Sequence, residues 1–298
     1  MNDREQLQGY LAAIGTVAIW SGFIVISRLG GKSVLTPFDV LALRLGFAAL
    51  LLLPFVGSLP PGSWTDARLW TLTMSGGVIY GLAVYSGFKF APASHAGILL
   101  PGIQPFLIPL VGWLIMGTRA QRQQLQGLVA IGLGVLCVAS PSILHGHWDP
   151  AVLLGDLLFL LASVAWAIYS VLAKRWGFSP WVLTRVLAIG SAALYLPIYA
   201  LFLPRNLEAA PWSTLILQGL YQGVGTTIVA MLLFLKAVST IGPARMGSMI
   251  ALVPVLAGVA AAPLLDEPLT PELIAGLVLV SIGAFIAARP APPTPLAA

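Results

Sequence analysis

The sequence predicts an all-α membrane protein, in which ten transmembrane helices form two inverted five-helix repeats around a central cavity. The composition is 58% hydrophobic and only 8% charged, with a mean hydropathy of +0.95. Soluble domains carry about 25% charged residues, so most of this surface must face lipid. Apolar stretches also recur at the roughly 20-residue length that crosses a bilayer. Finally, the two halves of the chain resemble each other.

Ten apolar segments are long enough to cross the membrane, and short loops separate them. Lipid offers no partner for an unpaired backbone group, and continuous apolar runs such as residues 50–53 differ from the short alternating strands of a barrel. The segments are therefore predicted to be helices. They cover residues 7–27, 36–56, 69–88, 96–116, 124–142, 152–173, 181–203, 213–235, 244–265 and 270–288.

Individual segments carry further signals. Residues 1–5 lack the basic region of a secretory signal, so the first span is expected to be retained. Cys137 is the single cysteine and lies in the fifth span, which excludes an intramolecular disulfide. Pro101 and Pro105 in the fourth span, and Pro254 at the matching place in the ninth, are expected to kink or break their helices. Broken helices in corresponding halves indicate a transporter site.

Basic residues predict the orientation. The N-terminus, the even-numbered loops and the C-terminal tail carry Arg4, Arg68, Arg119, Arg122, Lys174, Arg175, Lys236, Arg245 and Arg289. The odd-numbered loops carry only Arg28, Lys32, Lys89 and Arg205. This bias places both termini in the cytoplasm. The same distribution explains the net charge of +5 better than nucleic-acid binding does.

The repeat is visible as ordered matches along the chain. Gly9, Trp20, Arg28 and Gly31 match Gly155, Trp166, Lys174 and Gly177, each pair 146 positions apart, and Pro105, Gly127 and Gly134 match Pro254, Gly276 and Gly283 at 149. The predicted repeats are residues 1–143 and 150–289, followed by a disordered proline-rich tail over 290–298. Because each repeat has an odd number of spans, the second must enter the membrane upside down. Inverted repeats with a site at their interface are typical of secondary transporters.

Two repeated blocks carry a family resemblance. One runs from Lys89 through His95 to Gly97 and leads into Gln104-Pro105, and the other runs from Lys236 to Gly247 and leads into Val253-Pro254 and residues 266–270. The chain resembles the ten-helix, EamA-like members of the drug/metabolite transporter superfamily, and is similar to its aromatic amino acid exporters. The resemblance implies export of amino acids or related metabolites across a bacterial inner (plasma) membrane.

The positions of the acidic residues predict whether transport is coupled to protons. The four-helix multidrug relatives carry a carboxylate in their first helix, whereas Leu7 to Ser27 has none, and no acid lies near the middle of any predicted span. Buried ionisable groups mark proton relays. We therefore expect facilitated, uncoupled transport, with proton-coupled drug or metabolite efflux as the alternative.

Aromatic and uncharged polar residues within the spans are the candidate substrate contacts. Tyrosine and tryptophan need partners for their polar atoms, which a wet cavity supplies, although helix packing explains each equally well. Amide and hydroxyl groups can hold a zwitterion or join helices. The predicted substrate-binding residues are Trp20, Tyr80, Tyr85, His95, Gln104, Trp166, Tyr169, Tyr221, Gln222 and Ser248. Spans 1, 3, 4, 6, 8 and 9 are expected to line the cavity.

Charged candidates have competing explanations. His95 could bind substrate or a proton, or be an interfacial histidine that donates to a carbonyl. Arg44 and Arg185 could each capture a carboxylate, but both lie near helix ends, where snorkelling to the interface is favoured. His145 and His147 form a His-x-His pair that lacks further metal ligands, so neither a metal nor another cofactor is expected.

Other functional classes fit less well. An intramembrane enzyme needs a nucleophile with an oriented base, which three histidines and no mid-span acid do not supply. A selective pore needs a ring of like groups. Few basic residues in the spans disfavour nucleotide-sugars. The expected partners are a small-molecule substrate and membrane lipid, and two repeats that complete one cavity favour a monomer.

Overall fold

A computed structural model describes residues 3–117, 122–145 and 149–289. Within these ranges the regular structure is helical, without a strand. Seven helices are long and apolar enough to cross a membrane, or eight if a pair bent by 40° counts as one span. The predicted tail over 290–298, and His147, Trp148 and Arg119, lie outside the described residues.

The described part of the first half contains seven α-helices, and short π-helical or 3₁₀ segments adjoin four of them. They are α1 (Asp3–Lys32), α2 (Pro37–Leu52, continued by the 3₁₀ segment Leu53–Ser58), α3 (Ala67–Thr73), α4 (Tyr80–Phe90), α5 (Ala93–Gly97), α6 (Gln104–Met116) and α7 (Arg122–His145). A π-helical segment, Met74–Ile79, joins α3 to α4 without a break, and another, Ile98–Gly102, continues α5.

The described part of the second half has the same order of helices. They are α8 (Pro150–Trp176), α9 (Pro180–Phe202), α10 (Trp212–Gln218), α11 (Ala230–Ile241), α12 (Pro243–Ile250), α13 (Val253–Leu265) and α14 (Pro271–Ala287). A π-helical segment, Gly219–Val229, joins α10 to α11, and a 3₁₀ turn, Leu207–Ala209, precedes α10.

Helix boundaries follow local capping chemistry. Thr36 and Asp39 form a capping box at the start of α2, where Pro37 occupies the first turn. Asp66 caps α3 through the Arg68 amide. The Arg68 guanidinium also bonds to this carboxylate and holds the pKa of Asp66 below its usual value. Gly177 ends α8 with a left-handed φ of 68°, which costs glycine little.

The proline breaks occur at matching places in the two halves. The helix α5 and its π-helical continuation meet α6 at Ile103, and α12 meets α13 at residues 251–252. Pro105 and Pro254 both lie in the first turn of the following helix, where the missing N–H needs no partner. Pro101 lies inside the π-helical segment. These prolines thus begin new helices or accompany π-helical backbone.

Helices α7 and α14 pack together through paired glycines. A Cβ atom on Gly134 would lie 2.7 Å from the Gly276 carbonyl oxygen, and one on Gly283 would lie 2.6 Å from that of Gly127. The two backbones therefore approach as closely as small-residue motifs allow in membranes. None of the described side chains of these two helices lines the central cavity described below.

We expect Gly134→Leu to destabilise the protein by about 1–3 kcal/mol, because α14 must move away to admit the side chain. Gly132 on the same helix has open space around its Cα, so Gly132→Leu is the matched control and should be neutral. Thermal unfolding of both purified variants measures the difference. Equal stabilities would contradict the proposed close packing.

Candidate functional site

A cavity of about 500 Å³ lies in the middle of the bundle. Residues from both halves line it, and they belong to α1, α2, α4, α6, α8, α9, α11 and the three π-helical segments, with Ile250 and Val253 at the α12–α13 break. The predicted spans 1, 3, 4, 6, 8 and 9 thus all reach the cavity. Spans 2 and 7 are not among the predicted lining spans, but they reach the cavity too, through Arg44 and Thr184.

Aromatic rings form much of the cavity wall. The ring centroids of Tyr80 and Trp166 are 5.0 Å apart, as are those of Trp166 and Tyr169. On another side Trp20 lies 5.6 Å from Phe234. Such tilted pairs are favourable arrangements of aromatic side chains, and they present ring faces and edges to a ligand.

Few polar groups interrupt this apolar wall. They are Arg44, the Tyr80 hydroxyl, the Gln104 amide, Ser170, Thr184, Thr226 and Thr227. Both neighbouring threonines donate to the Gln222 carbonyl, at 2.7 and 2.9 Å, which leaves their oxygen lone pairs as acceptors. An apolar cavity with a small number of placed polar groups is typical of small-molecule sites.

A buried hydrogen-bond chain lies behind the wall and holds Arg44. Its Nη1 donates to the Tyr85 hydroxyl at 3.1 Å, and that hydroxyl donates to Gln222 Oε1 at 3.3 Å. The Gln222 amide nitrogen donates to Ser27 Oγ at 2.9 Å and to Gln218 Oε1 at 3.4 Å. Gln218 in turn donates to the Ile26 carbonyl at 2.8 Å. The chain therefore joins α1, α2, α4, α10 and the adjoining π-helical segment.

The π-helical segments bring backbone irregularity to the cavity. Gly76 and Gly77 lie on the first of them, Leu100 and Pro101 on the second, and Thr226 and Thr227 on the third. Insertions of this kind in α-helices occur frequently at functional sites. Glycine is needed at position 76, because a Cβ there would lie 2.7 Å from the Tyr169 ring.

The structure brings together only part of the predicted site. Trp20, Tyr80, Gln104, Trp166, Tyr169 and Pro101 line the cavity. Tyr85 and Gln222 lie behind its wall, where both are buried in the hydrogen-bond chain. The Tyr221 hydroxyl donates to the Ile19 carbonyl at 3.1 Å, and Ser248 lies on α12, away from the wall. Substrate binding by any of these residues stays a prediction.

The snorkelling interpretation is wrong for Arg44. Its guanidinium faces the interior, where it lines the cavity and lies 5.6 Å from the Phe23 ring centroid. Arg185 does not line the cavity. It donates to the Trp181 and Phe55 carbonyls at 3.1 Å and bonds to Ser58, so it joins α9 to the 3₁₀ segment after α2.

Acidic side chains join the two halves at one end of the bundle, here called the Arg28 end. Arg28 Nε lies 3.0 Å from Glu267 Oε1, and the Ala93 amide donates to the same carboxylate at 2.9 and 3.1 Å. Lys32 Nζ donates to the Leu265 carbonyl. Glu267 therefore holds the end of α1 and the start of α5 against the α13–α14 loop.

Two further acids join the halves at this end. Asp39 accepts hydrogen bonds from the Tyr199 hydroxyl and the Asn206 amide. His95 Nδ1 lies 2.9 Å from Asp156 Oδ1, so this histidine pairs with a carboxylate and lies away from the cavity. In the described part of the chain no group of three or more His, Cys, Asp and Glu side chains could hold a metal ion.

Comparisons with known proteins agree with this architecture. A model of the EamA-like transporter family matches residues 7–140 and 153–289. A probable amino-acid metabolite efflux pump of Salmonella typhimurium (strain LT2) is 29% identical, over 93% of both chains. A protein of the same description from Escherichia coli (strain K12) is 27% identical over 70% of this chain and 74% of its own.

Other relatives align with a smaller part of this chain or are described only as uncharacterized transporters. The uncharacterized transporter YvbV of Bacillus subtilis (strain 168) is 29% identical to this chain. The aligned part covers 68% of this chain and 65% of that protein. The alignment with an Archaeoglobus fulgidus transporter spans 55% of that relative. A crystal structure with 21% sequence identity has a TM-score of 0.60 and covers 96% of this chain and 99% of its own, which shows a shared fold.

We expect Tyr85→Phe to lower the free energy of unfolding by about 1–3 kcal/mol, because Gln222 Oε1 would lose the buried hydroxyl that donates to it. Tyr221→Phe is the control, since the Ile19 carbonyl keeps its place in a helix when that hydroxyl is removed, and the cost should be smaller. Denaturation of both variants compares them. A neutral Tyr85→Phe would contradict the structural role of the chain.

Proposed function

The chain belongs to the EamA-like transporter family, and from this premise we propose that it exports small neutral metabolites, foremost aromatic and other hydrophobic amino acids. The observation that carries the proposal is the central cavity, whose wall combines aromatic rings with a few polar groups from both halves. Its volume of about 500 Å³ lies within the range of small-molecule sites. Relatives described as amino-acid metabolite efflux pumps support the substrate class.

We propose ten spans in two inverted repeats, over residues 1–143 and 150–289. The packing supports a two-fold relation: α1 packs on α11 and α13 as α8 packs on α4 and α6, and α2 packs on α9 and α7 on α14, which are matching segments of the two halves. The glycine contacts obey the same relation. Gly134 with Gly276 is the repeat image of Gly127 with Gly283.

The cavity wall also follows the repeat. Trp20, Phe23 and Ile24 correspond to Trp166, Tyr169 and Ser170, and all six line the cavity. At three other matched positions of the wall the two halves carry residues of different polarity. Arg44 matches Leu187, Tyr80 matches Thr227, and Gln104 matches Val253. Two aromatic positions, Trp20/Trp166 and Phe23/Tyr169, are thus kept in both halves, whereas the arginine and the glutamine come from the first half only.

Alternating access is the proposed mode of transport. In α9 the cavity lining begins at Thr184, in the second turn, and in α8 it ends at Ser170, less than two turns before the last residue of that helix, Trp176. The cavity therefore lies nearer the end that holds the N-terminus, and the Arg28 end is closed by Glu267, Asp39 and Asp156. With cytoplasmic termini, this arrangement is an inward-facing state.

The proposed transport is facilitated and uncoupled. No aspartate or glutamate of the described residues lines the cavity, so a carboxylate that binds substrate and proton in turn is absent from that wall. His95 and Asp156 pair outside it. The carrier would then act as a monomer in a bacterial inner membrane, driven by the gradient of its substrate.

Liposomes that contain the purified protein should take up labelled tryptophan and phenylalanine in a saturable manner, with or without a proton gradient. Trp166→Ala should weaken apparent affinity by roughly 3- to 10-fold through loss of ring contacts. Trp212→Ala is the control, because that side chain is 78% exposed at a helix end. Uphill transport driven by a pH gradient alone would contradict uncoupled transport, and absence of amino acid flux would contradict the substrate class.

Glu267→Gln should open the Arg28 end more often, because the charge-assisted contacts to Arg28 and the Ala93 amide weaken. The reporter is Ala48→Cys on the cavity wall, in a Cys137→Ser background, labelled by a membrane-impermeant maleimide from the Arg28 side. We expect labelling to accelerate by roughly tenfold. Asp66→Asn, which breaks an exposed pair at the opposite end, should leave the rate unchanged, and equal rates in all three proteins would refute this closure.

A further inference from the structure

From the cavity geometry we infer that Arg44 is a carboxylate anchor, which makes the transporter select substrates with a free carboxylate beside an apolar side chain. This inference rests on the proposed function and specifies its substrate class. It would distinguish amino acids and aryl-alkanoates, which carry the carboxylate, from amines and hydrophobic cations, which lack it.

The first observation is an uncompensated charge. Among the described residues, Arg44 is the only charged side chain that lines the cavity, and no carboxylate lies within ion-pair distance of it. Its described partners are a neutral hydroxyl and the Phe23 ring. Guanidinium stays protonated in proteins, and a charge in a low-dielectric interior requires an opposite charge nearby. The wall therefore favours an anionic group at this point.

The second observation is the preorganisation of the guanidinium. The chain through Tyr85, Gln222 and Gln218 is buried, with exposed fractions of 2%, 0% and 0%. This hydrogen-bond chain binds only one terminal nitrogen of Arg44, whereas a guanidinium group has five N–H donors. The remaining donors can form the paired hydrogen bonds with which arginine binds carboxylates. Because the fork is already held, little conformational entropy is lost on binding.

The third observation is an acceptor for the other end of a zwitterion. Gln104 lines the cavity, and its amide nitrogen donates to the Ser163 carbonyl at 3.2 Å. Its Oε1 is buried without a hydrogen-bond partner. A buried acceptor left unpaired is costly, and a rotation of the Gln104 side chain would present it to an ammonium group in the cavity. Arg44 and Gln104 thus supply the two complementary groups that an α-amino acid requires, while the aromatic rings contact its side chain.

The repeat makes the anchor a property of one half. Leu187 occupies the position that matches Arg44, and Val253 the one that matches Gln104. A single anchor gives the cavity one polar side and one apolar side. An amphipathic substrate with a carboxylate at one end fits this division, whereas a molecule with two distant charges would have to bury one of them unpaired.

The test compares four ligands that share a phenyl ring: phenylalanine, phenylalaninamide, 3-phenylpropanoate and phenethylamine. Competition with labelled phenylalanine in counterflow, and thermal stabilisation of the purified protein, measure their apparent affinities. We expect phenylalanine and 3-phenylpropanoate to bind, and the two ligands without a carboxylate to need concentrations on the order of 30-fold higher. Equal competition by phenylalanine and its amide would overturn the inference without any variant.

Arg44→Gln should bring phenylalanine and phenylalaninamide to within about threefold of each other. Arg44→Lys should keep part of the discrimination, because it retains the charge but loses the planar fork. Arg185→Gln is the matched control, an arginine of another span that does not line the cavity, and it should keep the wild-type ratio. Undiminished discrimination in Arg44→Gln would place the anchor elsewhere and overturn the assignment.

These results separate the inference from the proposed function. Arg44-dependent binding of 3-phenylpropanoate without any amino acid flux would refute amino acid export and support the anchor. Saturable flux of phenylalanine, with equal binding of ligands with and without a carboxylate, would support amino acid export and refute the anchor. Preference for phenethylamine over every carboxylate ligand would refute both.

Discussion

Polar side chains within this bundle must find their partners inside it, because lipid supplies none. The buried chain from Arg44 through Tyr85, Gln222 and Gln218 is the main result of that constraint, since it fixes α1, α2, α4 and α10 relative to one another. The cavity wall in front of it can then stay largely apolar. The irregular π-helical backbone is tolerated for the same reason, as side chains such as Thr226 and Thr227 bond to carbonyls there.

The helical segments were predictable because length and hydropathy alone decide which stretches suit a membrane. Capping signals set several boundaries, and the proline positions predicted the breaks near Ile103 and Leu252. The π-helical segments were not predictable. Residues 219–229 are apolar with scattered glycine and threonine, a composition that also fits an ordinary membrane helix. The close approach of Gly219 and Gly223 to Phe47 of α2 is a tertiary contact that the sequence of the segment does not reveal.

The sequence indicates the depth of a side chain in the bilayer but not the direction in which it points. Trp20, Tyr80, Gln104, Trp166 and Tyr169 were selected for depth and polarity, and they also face the cavity. Tyr85 and Tyr221 met the same criteria and face neighbouring helices. Arg44 faces the interior although its distance from the helix end permits snorkelling, and no apolar face of α2 indicates the inward direction. The inward direction of Arg44 depends on its hydrogen bond to Tyr85, a residue 41 positions away in the sequence.

The unequal ends of the bundle have a kinetic consequence. Carboxylates join the halves at the Arg28 end, whereas Arg175 and Arg185 reach backbone carbonyls and one hydroxyl at the other. A binding face that is open for only a fraction of the time has its apparent affinity reduced by that fraction. With the proposed cytoplasmic termini, solute outside the cell would thus meet a weaker site than solute inside. Because an uncoupled carrier must have the same ratio of Vmax to KM in both directions, this asymmetry changes the concentration at which each face saturates, while the net flux still follows the substrate gradient.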